Sequence, residues 1–237
     1  MTFSRSDRLL VIAPHPDDEV LGCGGLIKKI KDVGGKVYIL YLTIGETTEY
    51  SSYGVTSSKQ RETEIKSVTK FFAVDKFKVA FPGNENHLRL DSLSQLDLIS
   101  TIERGKDVSL DAIKPTIIAF PKGTDYNQDH RAAHMAVISA CRPAPDTFKS
   151  SPNMILGYEF TGTTEWGVGT NERNNIFVPL SPNELKTKRK AMELYESQVR
   201  EAAHTRSLEN IESLARIRGA MAGSDYAEAY HGYRIVI

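Results

Sequence analysis

Cysteine is scarce in this chain of 237 residues: there are two, Cys23 and Cys141, far apart in sequence. Two such residues exclude a disulfide framework and a cysteine-based zinc ribbon, and both read as reduced core side chains. An excess of one charge is missing too. Lysine plus arginine number 30, as do aspartate plus glutamate, for a net charge of zero. Composition therefore gives no electrostatic case for nucleic acid or an anionic membrane as partner. No apolar run approaches the ~20 residues that span a bilayer. The opening MTFSRSDRLLVIAP has a short apolar segment closely flanked by charge, which does not read as a secretory signal, and a cytoplasmic location is the expectation. Repeats, low-complexity tracts and linker-like breaks in composition are also missing, so one domain over 1–237 is expected.

What is present is an alternation of short β-rich runs and amphipathic stretches. RLLVIAP, KVYILYLT, KFKVAFP, TIIAFP and MILGYEF read as strands. Between them EVLGCGGLIKKIKDVGG, SSKQRETEIKSVTKFFAV, SLSQLDLISTIERGKDV and DHRAAHMAVISACRP have helical spacing. This βαβα order predicts a parallel sheet with helices on both faces. The last third changes character. SPNELKTKRKAMELYESQVREAA opens on a capping box of Ser181 and Glu184, SLENIESLARIRGAMAG starts a further helix at Ser207, and YHGYRIVI reads as a final strand.

In an open parallel sheet, ligands bind beyond the carboxyl ends of the strands. His15-Pro16-Asp17-Asp18-Glu19 follows the first strand, and DYNQDHRAAH (Asp125 to His134) follows the fourth. Both clusters belong to one rim. Three adjacent carboxylates at a buried strand end repel one another unless something positive sits among them. Imidazole and carboxylate from two loops suit a borderline cation such as Zn²⁺, with one position left open for water. Asp and Glu in a first helical turn also serve as caps, but His15 and His130 on the same rim favour the metal. Gly22, Gly24 and Gly25 do not make a dinucleotide fingerprint, because charged residues occupy the turn where phosphate-cradling backbone is required.

APHPDDEVLGCGGLI resembles the signature of the LmbE/PIG-L family of zinc-dependent N-acetylglucosamine deacetylases. NQDHRAAH is similar to its second motif, TTEW (Thr163 to Trp166) to a third, and HTRSLENIESLARIRGAMAGSDYAEAY to the C-terminal segment of bacterial members. The resemblance runs from about Leu9 to Tyr230. It implies a Rossmann-like three-layer α/β sandwich whose sheet is mostly parallel. It implies that His15, Asp18 and His130 bind the metal and that Asp17 is the general base; the split between the two adjacent aspartates comes from the resemblance alone. Glu19 is expected to support the loop or a ligand. Many members carry a histidine three residues before the last ligand, where it steadies the tetrahedral oxyanion; here that position is Asn127, which donates a hydrogen bond without charge. His134, His204 and His231 are the histidines left to substitute for it. Asp129 is expected to orient His130 or Asn127, or to cap its helix.

Weaker candidates for substrate contact are Arg61, Glu165, Trp166, His204 and Arg206. Arg61 has a rival reading as an exposed helix arginine paired with Glu62 or Glu64, and Trp166 as a core side chain. Lys186 to Lys190 reads as a solvated helix face. The expected activity is removal of acetyl from an N-acetylglucosamine-type sugar or conjugate, using Zn²⁺ or else Fe²⁺, Co²⁺ or Mn²⁺. The rivals are hydrolysis of another N-acyl amide, on a thiol conjugate or natural product, and a non-catalytic sugar- or metal-binding homologue. The expected partner is a small amino-sugar molecule. The chain is also read as a homo-oligomer candidate, in which a neighbouring subunit could complete the pocket.

Overall fold

The computed structural model describes every residue except 1, 49–53, 146, 162–165, 167–171 and 237. In chain order the elements are β1 (Arg8–Ala13), α1 (Asp18–Asp32), β2 (Lys36–Ile44), a small hairpin of β3 (Thr47–Thr48) and β4 (Val55–Thr56), α2 (Ser58–Phe71), β5 (Lys76–Pro82), a 3-10 turn (Leu90–Ser92), α3 (Gln95–Arg104), α4 (Leu110–Ile113), β6 (Ile117–Pro121), α5 (Gln128–Ala140), β7 (Met154–Tyr158), β8 (Ile176–Leu180), α6 (Pro182–Glu193), α7 (Leu208–Ala222) and β9 (Tyr226–Ile235). Seven strands form one sheet in the order β5-β2-β1-β6-β7-β9-β8. β5, β2, β1, β6 and β7 run parallel, and β9 is antiparallel to both β7 and β8.

The apolar runs become strands because both their faces are covered. Leu9, Val11 and Ala13 of β1 face a layer built on α1, α2, α6 and α7, while Leu10 and Ile12 face α3, α4 and α5. This is the three-layer α/β sandwich expected, with a parallel sheet made mixed by β9. Within this sheet β8 is the strand that sequence reasoning overlooked, as it did the small β3–β4 hairpin. β8 is an edge strand, and its exposed Pro179 is tolerated there because no neighbour needs the missing N–H.

The glycines of α1 are packing residues. A Cβ on Gly22 would stand 2.4 Å from the Tyr158 ring, and one on Gly25 would stand 2.6 Å from Leu180. Their absent side chains let α1 lie close on β7 and β8. Glu228 of β9 then accepts from the N–H groups of Gly25 and Leu26, both at 2.8 Å, and pairs with Lys188 at 2.7 Å. Lys188 is thus a buried member of a run expected to be wholly solvated. Cys23 and Cys141 are both free and buried, as expected. The Ser181–Glu184 capping box is present at α6. Among the described residues no helix is long and apolar enough to cross a membrane.

Strand order decides where the site falls. From β1 the chain winds outward through β2 and β5, then returns to the other side of β1 as β6. The reversal leaves a crevice beyond the carboxyl ends of β1 and β6, where open α/β sheets bind ligands. His15 to Asp18 follow β1 and Asp125 to His130 follow β6, so both clusters enter that crevice.

Candidate metal centre

The turn after β1 is tight. Asp17 has φ 105° and ψ −28°, a left-handed backbone that costs a non-glycine residue about 1–3 kcal/mol and persists only where its surroundings over-determine it. Here they do. Glu19 accepts from the Asp17 N–H at 3.1 Å, Asp18 accepts from the His15 N–H at 2.8 Å, and the Arg61 guanidinium donates to the Pro16 carbonyl at 2.7 Å. Arg61 is buried, which overturns its reading as an exposed helix arginine. Glu64, one turn further along α2, accepts from the N–H and hydroxyl of Ser197 instead. So α2 holds the motif loop on one side and the segment after α6 on the other.

His15, Asp18 and His130 converge with their ligand atoms within 4.8 Å of one another. His15 Nδ1 lies 3.5 Å from Asp18 Oδ2, and His130 Nε2 lies 3.4 Å from the same oxygen. A tetrahedral ion with bonds of ~2.0–2.1 Å needs its ligand atoms about 3.3–3.4 Å apart. Each imidazole is backed through its other nitrogen by a buried carboxylate: His15 Nε2 by Asp129 at 2.9 Å, and His130 Nδ1 by Asp125 at 3.0 Å. A ring that donates there turns its lone pair toward Asp18, an arrangement that raises ligand basicity and fixes orientation. Two nitrogens, one oxygen and two backing carboxylates fit a borderline divalent cation.

The expectation for Asp129 needs correction. It orients His15, not His130, and its other oxygen accepts from the Leu90 N–H at 2.9 Å. The cap of α5 is Asn127, whose Oδ1 accepts from the Asp129 N–H at 2.9 Å. Asp125, the residue that does orient His130, went unassigned, although its place five residues before His130 in a polar loop was a usable signal.

Electrostatics follow the contacts. Burial pulls both imidazoles down, but Asp129 and Asp18 outweigh it at His15, and Asp18 and Asp125 push His130 up to about 10. Burial is likewise outweighed at Asp18, whose carboxyl His130 and His15 hold below the usual range. Asp17 goes the other way: burial and the Asp18 charge raise it to about 6, against the pull of Arg206, Arg61 and His15. Glu19 is raised to about 8 by burial, although Tyr195 and Tyr41 donate to it at 2.6 and 3.0 Å.

A cavity of about 400 Å³ opens over these groups, and Asp17, Arg61, Asn127, His204 and Arg206 all line it. Arg206 reaches to 3.6 Å from Asp17 and donates to Gln198 at 2.6 Å. His87 also lines it and had no motif to announce it. Its ring stands edge-on to His15, centroids 5.4 Å apart, and its two nitrogens meet Thr43 and Thr47. Burial and the His15 charge lower it to about 4. His134 and His231 lie elsewhere, beside Tyr233. Trp166 is 81% exposed and is neither core nor cavity lining. Glu165 lies outside the described residues.

The parallel sheet and its rim cluster define an α/β protein with a site suited to a divalent cation beside a buried carboxylate. The chain belongs to the PIG-L family: the family model described as GlcNAc-PI de-N-acetylase matches residues 10–141. It is 27% identical over 231 residues to the diacetylchitobiose deacetylase of Thermococcus kodakarensis, covering 95% of this chain and 83% of that one. Among solved structures, the N,N'-diacetylchitobiose deacetylase of Pyrococcus horikoshii has the same fold, with a TM-score of 0.68, 21% identity, and 96% and 84% of the two chains covered. The zinc-inhibited form of teicoplanin deacetylase Orf2 has a TM-score of 0.72 at 18% identity, covering 95% and 97%.

Proposed function

We propose that the chain is a zinc-dependent N-deacetylase acting on an N-acetylglucosamine-type sugar or conjugate, with release of acetate and a free amine. The observation that carries this reading is the His15–Asp18–His130 cluster with Asp17 beside it, facing one cavity. Family membership supports the same chemistry. His15, Asp18 and His130 would hold the ion; Fe²⁺, Co²⁺ and Mn²⁺ share the ligand preference. A divalent ion in such a site polarises an amide carbonyl and acidifies water.

The remaining work belongs to side chains of this protein. Water adds to the acetamide carbon and the C–N bond then breaks. Asp17 takes the water proton and returns it to the leaving nitrogen, one carboxylate serving as base and then acid. Its strained turn, fixed by Glu19 and Arg61, aims it at the cavity. Asn127 keeps its carbonyl oxygen on the α5 cap, so the donor its amide offers the cavity is Nδ2–H, a neutral contribution to oxyanion stabilisation. Arg61, His204 and Arg206 line the cavity and would meet sugar hydroxyls, and Arg206 also steadies the Asp17 charge.

Acetate release from a panel of N-acetylated sugars tests the reading. Metal-loaded wild type releases acetate, and Asp17→Asn lowers kcat by about 10²–10⁴-fold at unchanged metal content. A wild type that yields none across the panel overturns it. The working base is ionised Asp17, so kcat/KM falls as pH drops through about 6. A bound dication takes the place of the protons that His15 and His130 carry without it, so the positive charge near Asp17 changes little.

A further inference from the structure

Leu88 and Tyr126 stand at the mouth of the cavity, 42% and 51% exposed, and both line it. Leu88 has φ 58°, a backbone that disfavours any residue with a Cβ. An exposed leucine is ordinary by itself; what sets this one apart is the left-handed backbone that holds it at the cavity. The restraints are specific. His87 is fixed between Thr43 and Thr47, Gln128 of α5 donates to the Leu88 carbonyl at 3.0 Å, and the Leu90 N–H donates to Asp129 at 2.9 Å. Asp129 is the carboxylate that orients His15, so the segment carrying Leu88 is referenced directly to the candidate metal ligands. Tyr126 comes from the other side of the same Gln128 staple, one residue before Asn127.

The floor of the cavity is ionic, and its exposed lining is Leu88 and Tyr126 with His204. A cavity of about 400 Å³ falls in the range that takes drug-sized ligands, and an acetamido group needs only the floor. On the deacetylase reading, we infer that Leu88 and Tyr126 form a platform for an apolar or aromatic aglycone of the amino sugar, and that they set preference for conjugates over the free sugar. An aromatic ring beside an aliphatic side chain suits a flat apolar group, and apolar contacts of this size discriminate by roughly 10–200-fold.

The test compares kcat/KM for p-nitrophenyl N-acetylglucosaminide, N,N'-diacetylchitobiose and N-acetylglucosamine in wild type, Leu88→Gly and Tyr126→Ser. Wild type should favour the aryl conjugate over the free sugar by about tenfold or more, and each variant should remove most of that ratio. Glycine suits the left-handed backbone, so Leu88→Gly should keep its Tm, and lost preference cannot be put down to misfolding. A ratio unchanged in both variants overturns the platform. A gain confined to the disaccharide overturns the assignment to an apolar aglycone. Binding of the amine products, p-nitrophenyl glucosaminide and glucosamine, needs no turnover. Tighter aryl binding that both variants abolish upholds the platform even if no acetate forms, an outcome that removes the deacetylase reading alone. Equal binding of the two amines overturns the platform.

Discussion

His130 and His134 sit one turn apart on α5, both buried, each near a carboxylate, yet their surroundings differ. His130 meets Asp18 from the β1 loop at 3.4 Å and Asp125 from its own loop at 3.0 Å, and is pushed up to about 10. His134 gives its Nδ1 proton to the Pro121 carbonyl at 3.1 Å, meets one carboxylate, Glu172, at 3.6 Å, and is lowered by burial. Phe120 and Tyr233 occupy the space around it. A histidine near an acid is therefore not enough. A cation site needs donors from separate loops aimed at one point, with each imidazole held from behind; His134 is held, by the Pro121 carbonyl, but it is not among the donors that converge.

The largest effect expected is the contrast between these two residues. His130→Ala should lose the bound divalent ion by elemental analysis and bring acetate release to background, while His134→Ala keeps both ion and activity. Full metal occupancy in His130→Ala would break the comparison at its root. Loss of the ion from His134→Ala would show that the second histidine belongs to the site after all.

This contrast marks how far the sequence could be read. The strands β1, β2, β6 and β7 were legible because a strand covered on both faces is a near-continuous apolar run, and the edge strand β5 because Phe77, Val79 and Phe81 alternate along it. The rim clusters were legible because strand order forces both to one end. Which carboxylate backs which imidazole was not. Asp129 lies beside His130 in sequence yet serves His15, a pairing set by how α5 meets the β1 loop. β9 entering antiparallel between β7 and β8 is likewise a long-range choice, with no local signature. His87 was hidden for a related reason: it lies in an aperiodic loop. Arg61 was legible as a candidate because it falls on the helical spacing that Ile65 and Val68 continue; its partner, the Pro16 carbonyl, was not.

A smaller effect sharpens the role of the backing carboxylates. Asp125→Asn and Asp129→Asn leave His15, Asp18 and His130 in place but weaken the hydrogen bonds that orient the rings. Metal affinity in each should fall by about 10–100-fold, measured by competition with a chromogenic chelator. Each variant keeps one amide oxygen, which can still accept the backbone N–H its carboxylate serves, Asn127 for Asp125 and Leu90 for Asp129. Wild-type affinity in both variants would mean that three ligands suffice without support.

The smallest effect separates the two histidines by sign. In the metal-free chain the folded-state pKa of His130 is raised to about 10 from 6.5. Its contribution to stability is fully present below 6.5 and is lost as pH rises toward 10. Glu19, raised to about 8 from 4.5, acts in the same direction. His134 is lowered, so its effect is reversed: stability is intact above 6.5 and is lost as pH falls below it. A chelated sample should therefore lose Tm between pH 7 and 10. About 1 kcal/mol corresponds to roughly 2–4 °C in a chain of this size, so a shift of several degrees is readable. His130→Asn should flatten that slope without removing the Glu19 part, whereas His134→Asn should soften only the decline below pH 6.5. Saturating metal should reverse the alkaline slope in wild type, because the ion requires unprotonated imidazoles and binds better as protons leave. A chelated wild type whose Tm is flat from pH 7 to 10 would mean that His130 is not held as a cation between Asp18 and Asp125.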